Sequence, residues 1–266
     1  MTTGLISDSP ELSMVVMLAA GVLARMAGAV GLSTLPVFPG LSLRIRAALV
    51  AALSAVAIPA AISTAPLSDG FTSVSLPLFL GGELLVGFAI GTSVAIVLSA
   101  SAWAGGILGS ISGLSWADDF DPHSDAQTAG IARLAWWIGL SAFLAAGGQL
   151  GVVAGLIDSV HSVPIGQLAL NPNRLPDLFQ FWAVEIPGLC LSLAVTLAMP
   201  SLMAVMAFHL ASAICMRTIA FMPGHGLLQA AAAVVLLGAI YVGVDAWAGG
   251  FGTLVEGPIE ACFTPR

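Results

Sequence analysis

The sequence predicts an all-α membrane protein, a multi-helix subunit with kinked and broken helices. Three observations predict it. Hydrophobic residues make up 58% of the 266 residues and charged ones 8%, against roughly 25% charge in a soluble domain. Mean hydropathy is +1.03. Apolar runs near the ~20 residues that cross a bilayer as a helix recur along the chain, and prolines and glycines separate or interrupt them. So few charges cannot clothe a globule of this length in a water-compatible surface. No fixed-period repeat and no internal boundary is visible, so residues 1–266 read as one domain.

The first apolar run spans about Leu12 to Leu32 and contains Arg25. No basic segment precedes it, so it is expected to remain as an uncleaved anchor. An arginine in a bilayer costs roughly 2.5–3.5 kcal/mol on insertion scales, so Arg25 must pair or snorkel. Pro36, Pro39 and Gly40 end this run. Arg44 and Arg46 then introduce a second run, about Ala47 to Ile62, and mark a cytoplasmic side. The third runs from about Leu76 to Ile111. It exceeds one bilayer crossing, so it is a tilted helix, a broken pair, or a helix not confined to lipid. The fourth, about Ala129 to Ile157, carries glycines at 147, 151 and 155. A fifth region, about Leu178 to Ile219, is interrupted by Pro187 and Pro200 and predicts two pieces or one kinked helix. A last run, about Leu227 to Trp247, holds Asp245 near its end.

Chemistry is sparse. The chain has no lysine, and its seven arginines are scattered, which excludes a nucleic-acid partner. Cys190, Cys215 and Cys262 lie far apart, and the four histidines lack metal-ligand spacing. Residues 109–113 read G-S-I-S-G, with Ser112 one place off the centre of a nucleophile elbow. Phosphate-cradling and dinucleotide motifs are missing. Asp118, Asp119, Asp121, His123 and Asp125 could suggest a cation site, but they fail the calcium-loop pattern for want of its glycine. An enzyme is not expected, nor a cofactor or a metal.

The central stretch, Gly81 to Pro122, organises the rest. Glu83 opens it as a lone carboxylate in an apolar run. It reads as an ion or proton site, as one half of a pair with Arg25 or Arg217, or as a contact to a partner. Gly87 and Gly91, then Gly105, Gly109 and Gly113, recur every four residues, and spacing by four lies along one helical face. Such glycines let helices approach closely in lipid, within this chain or against a partner. An acidic, aromatic loop follows, with Trp116, Asp119, Phe120, Asp121 and Pro122. Met199, Met203 and Met206 share a helical face, as core filler or as a compliant channel lining.

These residues carry a resemblance. Glu83, Gly87, Gly91, Ala104–Gly105, Gly109, the run GLSWADDFDP at 113–122 and Gln127 resemble the FliR/SctT family, the R or T component of flagellar and virulence type III export gates. Arg25 with Pro36, Arg44 and Arg46 with Pro59, LAMPSLMA at 197–204 and Arg217 extend the likeness over most of the chain. Ala220 stands where the family tends to have proline, and Pro223 comes three residues later.

The resemblance implies a non-enzymatic subunit folded like a joined P-type and Q-type gate subunit. It implies assembly with P-type and Q-type subunits, and also with B-type and A-type export components. The setting would be membrane lipid of the bacterial inner membrane, at a flagellar basal body or secretion system. Its cargo would be unfolded exported proteins, and the loop near residues 113–127 would plug the pore. Trp116 falls on an aromatic plug position, whereas Asp119 and Phe120 depart from the family's usual residues. The rival reading is a multi-pass secondary transporter, with Glu83 and Asp245 as coupling residues.

Overall fold

The computed structural model describes residues 10–32, 41–64, 75–113, 130–170, 173, 175–218 and 225–263. Regular structure among them is helical, without strands. In order the helices are α1 (Pro10–Met26), α2 (Leu43–Thr64), α3 (Leu76–Leu98), α4 (Ala100–Ser112), α5 (Gly130–Ala145), α6 (Gly148–Ser162), α7 (Gln167–Leu170), α8 (Leu175–Gln180), α9 (Ile186–Thr218) and α10 (His225–Phe263). Two π-helical stretches are added, Ala27–Leu32 after α1 and Phe181–Glu185 before α9.

Among the described residues, five helical stretches are long and apolar enough to cross a membrane: Met14–Leu32, Leu43–Thr64, Leu76–Ser112, Phe181–Arg217 and Gly226–Gly243. Their outer faces are greasy. Leu43, Tyr241 and Val242 are each at least 80% exposed, which water would penalise and hydrocarbon does not.

The chain divides into two compact units. The first takes Met1–Val97, Gln149–Pro187 and Gly257–Arg266. Its buried residues include Leu18, Val22, Phe79, Val86, Ile90 and Leu156. The second takes Leu98–Gly148 and Gly188–Glu256, with Leu108, Leu140, Phe143, Leu197, Leu236 and Phe251 among its buried residues.

In the second unit α4 lies along α5. A Cβ on Gly105 would stand 2.7 Å from both the Ala132 Cα and the Ile131 carbonyl oxygen, so glycine is what allows these backbones to meet. Gly109 lies more loosely, 3.6 Å from the Ile131 side chain on the same measure. Gly113 does not continue this face. It ends α4 in a left-handed conformation, φ 72°, and its N–H returns to the Gly109 and Ser110 carbonyls, the usual glycine stop of a helix.

Two long runs are broken where the sequence left them whole or open. The third breaks at Ser99, which separates α3 from α4. The fourth, expected as one run, stops at Ala145 and resumes at Gly148. Gly147 between them has φ 78°. Its three glycines are therefore no packing stripe: Gly147 turns the chain, Gly151 faces open space, and Gly155 seats the Phe263 ring. A four-residue spacing cannot distinguish a packing face from a stop.

Candidate functional site: a buried ion pair at a helix break

In the first unit the backbones of α1 and α3 cross almost in contact. A Cβ on Gly87 would fall 1.9 Å from the Arg25 carbonyl oxygen, and one on Gly28 would fall 2.2 Å from that of Leu84. Glycine on both helices makes this approach, and the π-helical turn beginning at Ala27 opens the winding there. The crossing brings Arg25 and Glu83 face to face. Both are 1% exposed.

Arg25 Nε donates to Glu83 Oε2 at 2.8 Å. Nη2 lies 2.7 Å from the same oxygen without an aligned N–H, so it adds charge attraction rather than a second directional bond. Nη1 donates to two carbonyls, Ser159 at 3.0 Å and Val163 at 2.6 Å. Ser159 lies in the last turn of α6 and Val163 just past its end, where the helix dipole is negative and a cation is favoured. The other carboxylate oxygen, Oε1, accepts the Gly166 N–H at 2.7 Å, just ahead of α7. Gly166 has φ 84°, and Pro164 stops α6 two residues earlier.

The pair thus does two jobs. The guanidinium caps the end of α6, and the carboxylate receives the first free N–H of the next helix. A buried charge is tolerated when its partner and its hydrogen bonds are all supplied. Here both carboxylate oxygens are engaged. Among the described residues no cluster of His, Cys, Asp and Glu could hold a metal.

Of the residues singled out from sequence, Arg25, Glu83 and Gly87 come together. Gly91 is buried further along α3. Gly105, Gly109 and Gly113 belong to the second unit. Met199, Met203 and Met206 are 48%, 66% and 54% exposed, so they are surface rather than core filler. Arg217 is exposed near the end of α9, and the partner of Glu83 is Arg25. Trp116, Asp119, Phe120, Asp121 and Pro122 lie outside the described residues, as does the Asp245 side chain. What sequence reasoning missed is Gly28 and the backbone groups of Ser159, Val163 and Gly166. The run Ser162-Val163-Pro164-Ile165-Gly166 was the available signal: a proline and a glycine closing one helix before the next.

A second buried group, Cys262, belongs to the same unit. The Cys262 thiol donates to the Pro258 carbonyl, and burial pushes its pKa up to about 12 from 9.0. The protonated thiol's contribution to stability is therefore full below pH 9 and is lost as pH rises toward 12. At pH 8 Cys262 is expected to resist maleimide in the folded chain and to react once the chain is unfolded in dodecyl sulfate. Mass spectrometry of the labelled peptide checks this, and fast labelling in the folded state would contradict the burial.

The profile described as bacterial export proteins, family 1, matches residues 16–257. The flagellar biosynthetic protein FliR of Escherichia coli (strain K12) is 33% identical over 112 residues, covering 42% of this chain and 43% of that protein. FliR of Buchnera aphidicola subsp. Acyrthosiphon pisum (strain APS) is 29% identical over 125 residues, covering 47% and 48%. The chain spans less than half the length of these curated relatives. The family profile, by contrast, takes in α2 to α9 whole together with both residues of the buried pair, and on that extent the chain belongs to family 1 of the bacterial export proteins.

Proposed function

We propose that this chain is a non-enzymatic subunit of a flagellar type III protein export gate in the bacterial inner membrane. The observation that carries the reading is the family match over residues 16–257. Two relatives named for flagellar biosynthesis favour the flagellar over the virulence setting. The local chemistry supports it. The one buried carboxylate seen among the described residues holds helix ends, which suits a scaffold and weakens one of the two coupling residues of the transporter reading, Glu83 but not Asp245.

Partners in this reading are P-type and Q-type gate subunits, with B-type and A-type components and unfolded export substrates. Met199, Met203 and Met206 offer a flexible apolar surface suited to a passage for varied chains. Residues 113–127 close the idle passage, with Trp116 and Phe120 as bulky rings beside Asp119, Asp121 and Pro122. A few kcal/mol of loop contacts would keep such a plug mostly shut and still let substrate displace it. Replacing Trp116 and Phe120 together with glycine is expected to raise ion leak across the membrane while the complex still assembles. Unchanged conductance in that double variant would remove the plug from the proposal. Loss of motility and export on deleting the gene, restored by the intact chain, tests the gate itself.

A further inference from the structure

We propose that a cavity in the first unit holds one acyl chain of a phospholipid, whose ester carbonyl accepts the buried indole N–H of Trp182. The cavity measures about 520 Å³, within the range of small-ligand sites. Leu85, Phe88 and Ala89 of α3, Leu168 of α7, and Phe179 and Trp182 line it, and all of them belong to the first unit. Its position decides what reaches it. Leu85 and Phe88 lie in the membrane-length stretch Leu76–Ser112, and Trp182 lies near the start of another, Phe181–Arg217. Leu85, Phe88 and Phe179 are exposed, so hydrocarbon rather than water meets the mouth. Tryptophan near the end of a span favours the headgroup level of the bilayer, where lipid chains carry their esters.

A second observation selects the ligand. Trp182 is 8% exposed, and its Nε1 is buried without a hydrogen-bond partner. A buried tryptophan usually finds an acceptor for this N–H. The residue is set in the π-helical stretch Phe181–Glu185, and such wide turns are rare and frequent at functional sites. Thr92 also lines the cavity, but it donates its hydroxyl proton to the Phe88 and Ala89 carbonyls at 2.8 and 2.9 Å. Of these side chains, only the indole N–H is left to donate to a ligand. Plain hydrocarbon has no acceptor for it. A partner's transmembrane helix has backbone carbonyls already bonded within that helix. A phospholipid brings a free ester carbonyl on a flexible apolar chain, and so matches both the walls and the donor. The site stands independently of the gate reading.

The test uses the full chain in membrane vesicles of the cells that produce it. The vesicles are supplemented with phosphatidylcholine carrying a diazirine on one acyl chain beside the ester, irradiated, and the lipid adducts mapped by mass spectrometry. Adducts are expected to concentrate on residues 85–92 and 179–183. The reference is residues 234–242, whose exposed Val234, Tyr241 and Val242 report ordinary contact with bulk lipid. An ether-linked analogue keeps the chain and lacks the carbonyl. It should label the cavity roughly two- to ten-fold less, the factor one hydrogen bond supplies, and label the reference segment equally. Trp182→Phe keeps an aromatic ring without the N–H and should abolish the preference for ester over ether. Cavity labelling no higher than the reference, as bulk lipid or a partner helix seated there would give, overturns the site. Equal cavity labelling by the two lipids in the unaltered chain, or a preference that survives Trp182→Phe, overturns the assignment of the indole N–H.

Discussion

Exchanging the two members of the buried pair, Arg25→Glu with Glu83→Arg, is expected to fail as badly as breaking it. A simple ion pair survives reversal, because its Coulomb energy is symmetric. This one is not symmetric, because its surroundings are polarised. The reversed carboxylate would face the Ser159 and Val163 carbonyls now held by Arg25. The reversed guanidinium would face the Gly166 N–H now held by Glu83. Acceptor would meet acceptor and donor would meet donor, in a site excluded from water. Removing one partner of a buried pair costs roughly 3–5 kcal/mol, and the reversal should lose at least as much. Glu83→Gln should fall in the same range, since it leaves a cation buried without its counter-charge. Arg25→Met with Glu83→Leu should recover part of the loss but not all, because the Val163 carbonyl and the Gly166 N–H lose the partners the pair gives them, at about 1–3 kcal/mol each. Thermal unfolding of the three variants in one detergent ranks them. A stable reversal would show that the helix-end contacts are incidental.

Gly87→Ala is expected to be nearly as damaging, although it adds a single methyl group. Its Cβ would stand 1.9 Å from the Arg25 carbonyl oxygen and 3.0 Å from the Ala29 nitrogen. Both are backbone atoms of a helix, so no flexible side chain can swing aside. Relief must come from separating α1 from α3, which also draws Arg25 away from Glu83. Overpacking ordinarily costs about 1–3 kcal/mol; loss of the pair brings the expected total near 4–5 kcal/mol, the range of exceptional substitutions. Gly28→Ala should behave alike, and combining the two should cost less than their sum, since either one already forces the helices apart. The contrast is Gly81→Ala on the same helix. Nothing lies within 4 Å of its Cβ position, so it should be neutral or stabilise by up to about 1 kcal/mol. Protease resistance and detergent melting of the four variants measure this. Equal tolerance at positions 81 and 87 would mean the crossing is looser than described.

Much of this protein was legible in its composition and runs. Hydropathy alone located the apolar helices, because membrane-length segments need only length and few charges to be recognised. Glu83 and Arg25 stood out because ionic groups in apolar runs must be accounted for. Their exact pairing was one of several openings, since Arg25 and Arg217 were equally eligible on the page. The glycines show the limit most clearly. Gly87, Gly109, Gly113 and Gly151 all sit in four-residue spacings, yet one is pressed against backbone, one packs loosely, one stops a helix and one faces open space.

Residue chemistry by itself determined that this chain is helical and belongs in a membrane, because hydropathy and the scarcity of charged groups are properties of the chain read along its length. The fate of Glu83 and Gly87 was decided in three dimensions. Which charge meets which, and which backbone lies a few ångströms away, depends on helices more than fifty residues apart in sequence, and no local pattern encodes the partner that closes such a contact.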